Sequence, residues 1–218
     1  MKGLWIKDWR LLMQQKMFFL IVAGISVFCV LSGQDLLFMV SYSSFLVVSV
    51  AVSTMSYDDT ANGLAYIFTW PASRKQYVLE KYLFAGCAAG AAWALAVAAG
   101  AIFGKSVHSE TGILDWLLQS LMILAMMIIT LSVMIPIKLK FGAEKGRIVT
   151  FVVIFAMFGA LGLVQTLYSG ALPQVETAVH ALAALPPWTW TVFTAVFAAA
   201  VLIGSVCISI RIAEKKEL

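Results

Sequence analysis

Six apolar runs, each about as long as a bilayer is thick, constrain this chain more than any other feature. They cover residues 17–33, 36–56, 82–103, 113–135, 148–168 and 188–210. A spanning helix needs about 20 largely apolar residues. Inside hydrocarbon a helix also satisfies its backbone hydrogen bonds within its own segment. The runs are continuous rather than alternating in polarity, which excludes the pattern of a membrane β-barrel. Of the 218 residues, 62% are hydrophobic and 12% charged. A soluble domain carries roughly a quarter charged residues, so the apolar excess must face lipid. The reading is an all-α membrane protein: a single transmembrane domain over residues 1–218, with six spans and little chain left outside them. Residues 17–33 lack a small-residue cleavage pattern, and a second run follows at once, so a cleaved signal peptide is not expected.

The placement of charge gives the orientation. Lys2, Lys7, Arg10 and Lys16 precede the first run, and Arg74, Lys75 and Lys81 lie between the second and third. Lys138, Lys140, Lys145 and Arg147 lie between the fourth and fifth, and Arg211, Lys215 and Lys216 follow the sixth. The opposite side holds Lys105 alone, so fourteen of the fifteen basic residues fall on one side. That bias puts both termini in the cytoplasm. It also accounts for the net charge of +4 without a nucleic-acid partner.

The first sixteen residues read as a helix lying in the membrane interface. Trp5, Ile6, Trp9, Leu12 and Met13 gather on one face, with Lys7, Arg10 and Gln14 opposite; Leu4 and Leu11 blur the polar side. Residues 169–187 form an outward segment too long for a turn. In the third run, Gly86 and Gly90 make a small-xxx-small pair suited to close helix packing, within one subunit or between two. Cys29, Cys87 and Cys207 fall inside the runs, where they serve packing rather than a disulfide framework. His108 and His180 stand far apart with no ligand spacing, so no metal site is expected.

Residues 57–81 form the longest inward loop and contain two helical pieces. Asp58, Asp59 and Thr60 suit the start of a short helix whose apolar face is Leu64, Ile67 and Phe68. Pro71 disfavours helical geometry at Trp70 and ends it. Ser73 with Gln76 then makes a capping box that opens the helix leading into the third run. An exposed Leu-Ile-Phe face calls for a partner, the bilayer or the bundle itself.

No run carries a charge near its middle, which argues against an ion relay and against paired-carboxylate chemistry in the membrane. The second run has a polar stripe of Tyr42, Ser49, Ser53 and Ser56. Such hydroxyls either bond backbone or a neighbouring helix, or line a transport path; both readings stay open. No HExxH, GxSxG or clustered aspartates occur, so an integral membrane enzyme is not supported.

Two loops carry a resemblance. The stretch from Asp58 and Asp59 through NGLAY to WPASRKQYV and Lys81 resembles the first inward loop of ABC type-2 permeases. The run PIKLKFGAEKGR at residues 136–147 is similar to the second inward loop of that family. Trp70 stands where the family more often has leucine, which bears on loop packing. The interfacial helix, the six spans and the outward segment agree, so the resemblance covers nearly the whole chain.

The resemblance implies the permease subunit of an ATP-driven exporter. The helix at about 59–69 becomes a coupling helix that docks in a separate ATPase subunit. Contact would run through Asp58, Asp59, Asn62, Gly63, Leu64, Ile67 and Phe68, with Phe141, Glu144, Lys145 and Arg147 of the second loop in support. The sequence holds no GxxxxGK[ST] loop. This chain is therefore expected to bind no cofactor, with ATP and Mg on the partner. Two ATPase copies and a second permease copy, identical or a close paralogue, complete the assembly in a bacterial plasma membrane. Small permeases of this pattern resemble exporters of amphipathic peptides such as phenol-soluble modulins. Export of a drug, lipid or other hydrophobic small molecule is the alternative, and an ATP-independent carrier or channel a more distant one.

Overall fold

A capping box, correctly placed, shows how closely local sequence dictates these helices. The Ser73 amide donates to Gln76 Oε1 at 3.1 Å and the Gln76 amide to Ser73 Oγ at 3.2 Å, so the two first-turn donors satisfy each other's side chains. The helix they open is one of six in a computed structural model that describes residues 2–32, 35–59, 73–103, 112–169 and 186–215. In chain order they are α1 (Lys2–Gln14), α2 (Lys16–Leu31), α3 (Leu36–Asp59), α4 (Arg74–Phe103), α5 (Ile113–Ser169) and α6 (Pro187–Lys215). No strand occurs among the described residues.

Among the described residues, four helices are long and apolar enough to cross a membrane: α3, α4, the part of α5 up to Gly142, and α6. A fifth crossing results if α1 and α2, bent by 61° at Gln15, count as one broken span. That bend sets α1 across the end of the bundle. Its exposed side carries Ile6, Trp9 and Met13, with Trp5 at the margin, while Leu4 and Leu12 are buried. Of the two leucines that blur the polar face in the sequence, Leu4 is buried against protein and Leu11 half-buried. Trp5 meets Phe84 of α4 edge to face at a centroid distance of 5.5 Å.

Two apolar clusters fill the bundle. One joins Leu4 and Leu12 to the last turns of α3, the first turns of α4, residues 127–139 of α5 and Ala213 near the end of α6. The other, at the opposite end, joins Cys29, Leu36, Met39, Val40, Ala96 and Trp116. There α4 and α5 approach so closely that a Cβ on Gly100 would lie 2.9 Å from the Trp116 ring. Trp93 Nε1 donates to the Ser120 carbonyl at 2.8 Å across the same pair. All three cysteines are free; Cys29 is buried, whereas Cys87 and Cys207 face outward.

Hydroxyls tie α4, α5 and α6 together along their length. Tyr82 shares hydrogen bonds with Ser205 (2.5 Å) and Ser209 (2.8 Å), and Ser205 donates to the Ser132 carbonyl of α5. In lipid, where apolar side chains gain nothing by leaving hydrocarbon for protein, such bonds and close packing hold helices together.

The helix α5 is broken at Gly142, whose φ of 75° and ψ of −175° only glycine adopts readily. The break folds the chain back. Residues 138 and 146 would stand about 12 Å apart along a straight helix, yet a Cβ on Gly146 would lie 3.4 Å from Lys138 Cα. The hairpin falls within the second inward loop read at 136–147. A Cβ on Gly142 would also collide with the Asp59 carboxylate. Gly142→Ala is therefore expected to destabilise the protein by at least about 1–3 kcal/mol, read as a lowered melting temperature in detergent. An unchanged melting temperature would mean that the break relaxes at no cost.

Candidate functional site

The last turn of α3 and the first turns of α4 flank residues 60–72, and both are pinned by a ring of charges whose members are buried except for Lys7, 31% exposed at its side chain. Asp8 is 0% exposed, Lys81 2% and Asp58 4%. The Lys81 ammonium bonds Asp8 Oδ2 and lies 2.8 Å from Asp58 Oδ2. Lys7 bonds Asp58 Oδ1 and lies 3.4 Å from Asp8 Oδ1. Lysine and aspartate thus alternate around a closed square, Lys81–Asp8–Lys7–Asp58, that joins α1, α3 and α4. Each buried charge has two opposite charges as neighbours, which is the condition under which burial is tolerable.

Helix geometry places the corners. Asp8 falls between Leu4 and Leu12 at i, i+4 spacing, on the one stripe of α1 that faces protein. Tyr77 and Lys81 have the same spacing on α4, and the Tyr77 hydroxyl donates to Asp58 Oδ2 at 3.0 Å. The Thr54 hydroxyl donates to the Ala51 carbonyl at 2.8 Å and lies 3.5 Å from Asp8 Oδ2. Tyr77 is 1% exposed, so the phenol closes the ring off from water on that side.

The remaining helices lock onto this base through backbone carbonyls. Lys138 of α5 donates to the Val52 carbonyl at 3.2 Å. Arg74 donates to the Glu214 and Ala213 carbonyls at 2.8 and 3.3 Å, satisfying acceptors that the end of α6 leaves open. The exposed Lys75–Glu214 pair beside it, at 3.3 Å, adds little. Five helices therefore converge where α3 ends and α4 begins.

The predicted contact residues separate into groups. Asp58 points inward and is consumed by the ring, while Asp59 is half-buried against Gly142. Phe141 is exposed with the Lys140 ammonium 5.3 Å from its ring centroid, and Lys145 is exposed nearby. Glu144 and Arg147 sit on the α5 backbone just past the break. Asn62, Gly63, Leu64, Ile67 and Phe68 lie outside the described residues.

In the polar stripe of α3, Ser49 donates to the Phe45 carbonyl at 2.9 Å and Ser53 to the Val50 carbonyl at 2.7 Å. Tyr42 stacks on Phe38 with a centroid distance of 6.1 Å, and Ser56 is half-buried. The Ser49 and Ser53 hydroxyls thus both donate to backbone carbonyls of their own helix. Sequence reasoning missed Asp8 and Lys7 as ring members. The available signal was a single aspartate on the otherwise basic helix α1.

The ring makes a direct stability prediction. Lys81→Met leaves two buried carboxylates with the single Lys7 ammonium between them and is expected to cost about 3–5 kcal/mol. Asp8→Asn leaves Lys81 held by Asp58 and should cost less. Thermal unfolding in nanodiscs orders the two variants; no loss in either would contradict a structural role for the ring.

A family model described as ABC-2 family transporter protein matches residues 3–214. No curated protein and no solved structure matches the chain. With nearly the whole chain matched and four long apolar helices in the fold, the chain belongs to the ABC-2 transporter family, as a multi-pass membrane transport subunit rather than a nucleotide-binding domain.

Proposed function

We propose that this chain is the permease subunit of an ATP-driven exporter, and that the coupling segment read at about 59–69 transmits the work of a separate ATPase. The observation that carries the proposal is the ring of Asp8, Lys7, Lys81 and Asp58, which fixes both helices flanking that segment. A segment that relays force needs a stiff base, because a loose one would absorb the motion. ATP and Mg belong to the partner, of which two copies serve two permeases. The permease spans the bilayer six times with both termini in the cytoplasm and α1 in the inner interface. A bacterial plasma membrane is the setting. Open space over Gly86 and Gly90 on α4 leaves a smooth strip suited to a second permease copy, identical or paralogous.

The cargo in this reading is an amphipathic peptide of the phenol-soluble modulin type. Supporting it is a cavity of about 400 Å³ between α1, α2, α3 and α4, lined only by apolar residues including Trp5, Trp9, Phe19 and Phe84. A hydrophobic drug or lipid would meet the same walls. ATPase activity of the complex in liposomes separates them: amphipathic helical peptides stimulate it, whereas stimulation only by another class would remove the peptide reading.

Docking has its own test. Leu64→Asp and Phe68→Asp are expected to abolish co-purification of a nucleotide-binding subunit while leaving the permease folded. Retention of that subunit by both variants would overturn the assignment of the coupling segment.

A further inference from the structure

Glu80 precedes Lys81 on α4 and is 2% exposed, yet neither of its carboxyl oxygens has a hydrogen-bond partner among the described residues. It lies before the apolar run that begins at residue 82, at the level of the charge ring. The charged groups bearing most on it are Lys81 on its own helix, Asp8 and Lys7 on α1, and Asp58 on α3.

The ring already balances itself. Its two ammonium groups answer its two carboxylates, each ammonium touching both aspartates. An ionised Glu80 would add a fifth charge with no donor to meet it, in a place water does not reach. Burial of that kind favours the neutral acid over the carboxylate.

We propose that Glu80 is a proton-binding site, its carboxyl protonated in this arrangement and releasing the proton to water when the packing at the base of α4 is lost on unfolding. The step is a simple acid dissociation. The O–H bond breaks, the electron pair stays on the carboxylate, and water takes the proton. Because the packed form holds one proton more than the unfolded form, it is favoured as pH falls and the unfolded form as pH rises. The site thus makes the stability of the packed base of α4 proton-linked, a property that does not depend on the cargo or on the ATPase.

Difference infrared spectroscopy of the full chain in nanodiscs tests this directly. Wild type should show a protonated-carboxyl C=O band at neutral pH, where a solvent-exposed glutamate, titrating near about 4.3, contributes none. The band should shift in D₂O and vanish in Glu80→Gln and in Glu80→Met, both neutral and close in size. Spectra of the variants that superimpose on wild type would overturn the proposal. The melting temperature gives a second readout. It should decline from mildly acidic to alkaline pH in wild type and lose that decline in both variants, whereas parallel slopes would also overturn it.

Discussion

A lysine ammonium shared between two buried carboxylates fixes where three helices of this protein meet. In lipid the hydrophobic effect cannot choose which face of a helix turns inward, since hydrocarbon tails are as apolar as leucine. The choice falls to groups that lipid cannot accommodate. Asp8 is such a group: it must find Lys81 and Lys7, and in doing so it turns the Leu4–Leu12 stripe of α1 toward the bundle. Trp5, Trp9 and Met13 are then left on the exposed side of α1.

From that point the rest of the end of the bundle follows. Asp58 sets the height of the last turn of α3 against Tyr77 and Lys81. Lys138 reaches the Val52 carbonyl, which holds α5 at the depth where Gly142 must lie bare against Asp59. Arg74 takes the free carbonyls at the end of α6. Farther along, Tyr82 and the serines of α5 and α6 continue the same logic with neutral groups. A membrane transport subunit of the ABC-2 family, which the family match makes this chain, is thus most tightly tied where the proposed force-bearing segment leaves it.

Much of this was legible in the sequence because it is local. The apolar runs mark the long helices, the Ser73–Gln76 box marks the start of α4, and the glycine at 142 falls in the inward loop read at 136–147. The ring was not legible, because its corners lie 23 to 74 positions apart in sequence apart from the neighbours Lys7 and Asp8, and no periodicity links them. Asp58 reads equally well as a helix-capping aspartate on a loop, and only the packing of α1 over α3 shows that it faces inward. Leu4 reads as a flaw in an amphipathic face until Asp8 explains which face is meant. The serine stripe of α3 shows the converse: a pattern visible in sequence whose bonds, at Ser49 and Ser53, stay within their own helix.

The central claim is that α1 and the base of α4 move as one body. Spin labels at Arg10 and Leu79, both exposed, in a background without native cysteines would report their separation by pulsed electron resonance. With the ring intact, the distance distribution is predicted to stay single and unchanged as the reconstituted transporter binds and hydrolyses ATP. A distribution that splits or shifts with nucleotide, in protein whose Asp8 and Lys81 are unaltered, would contradict the account.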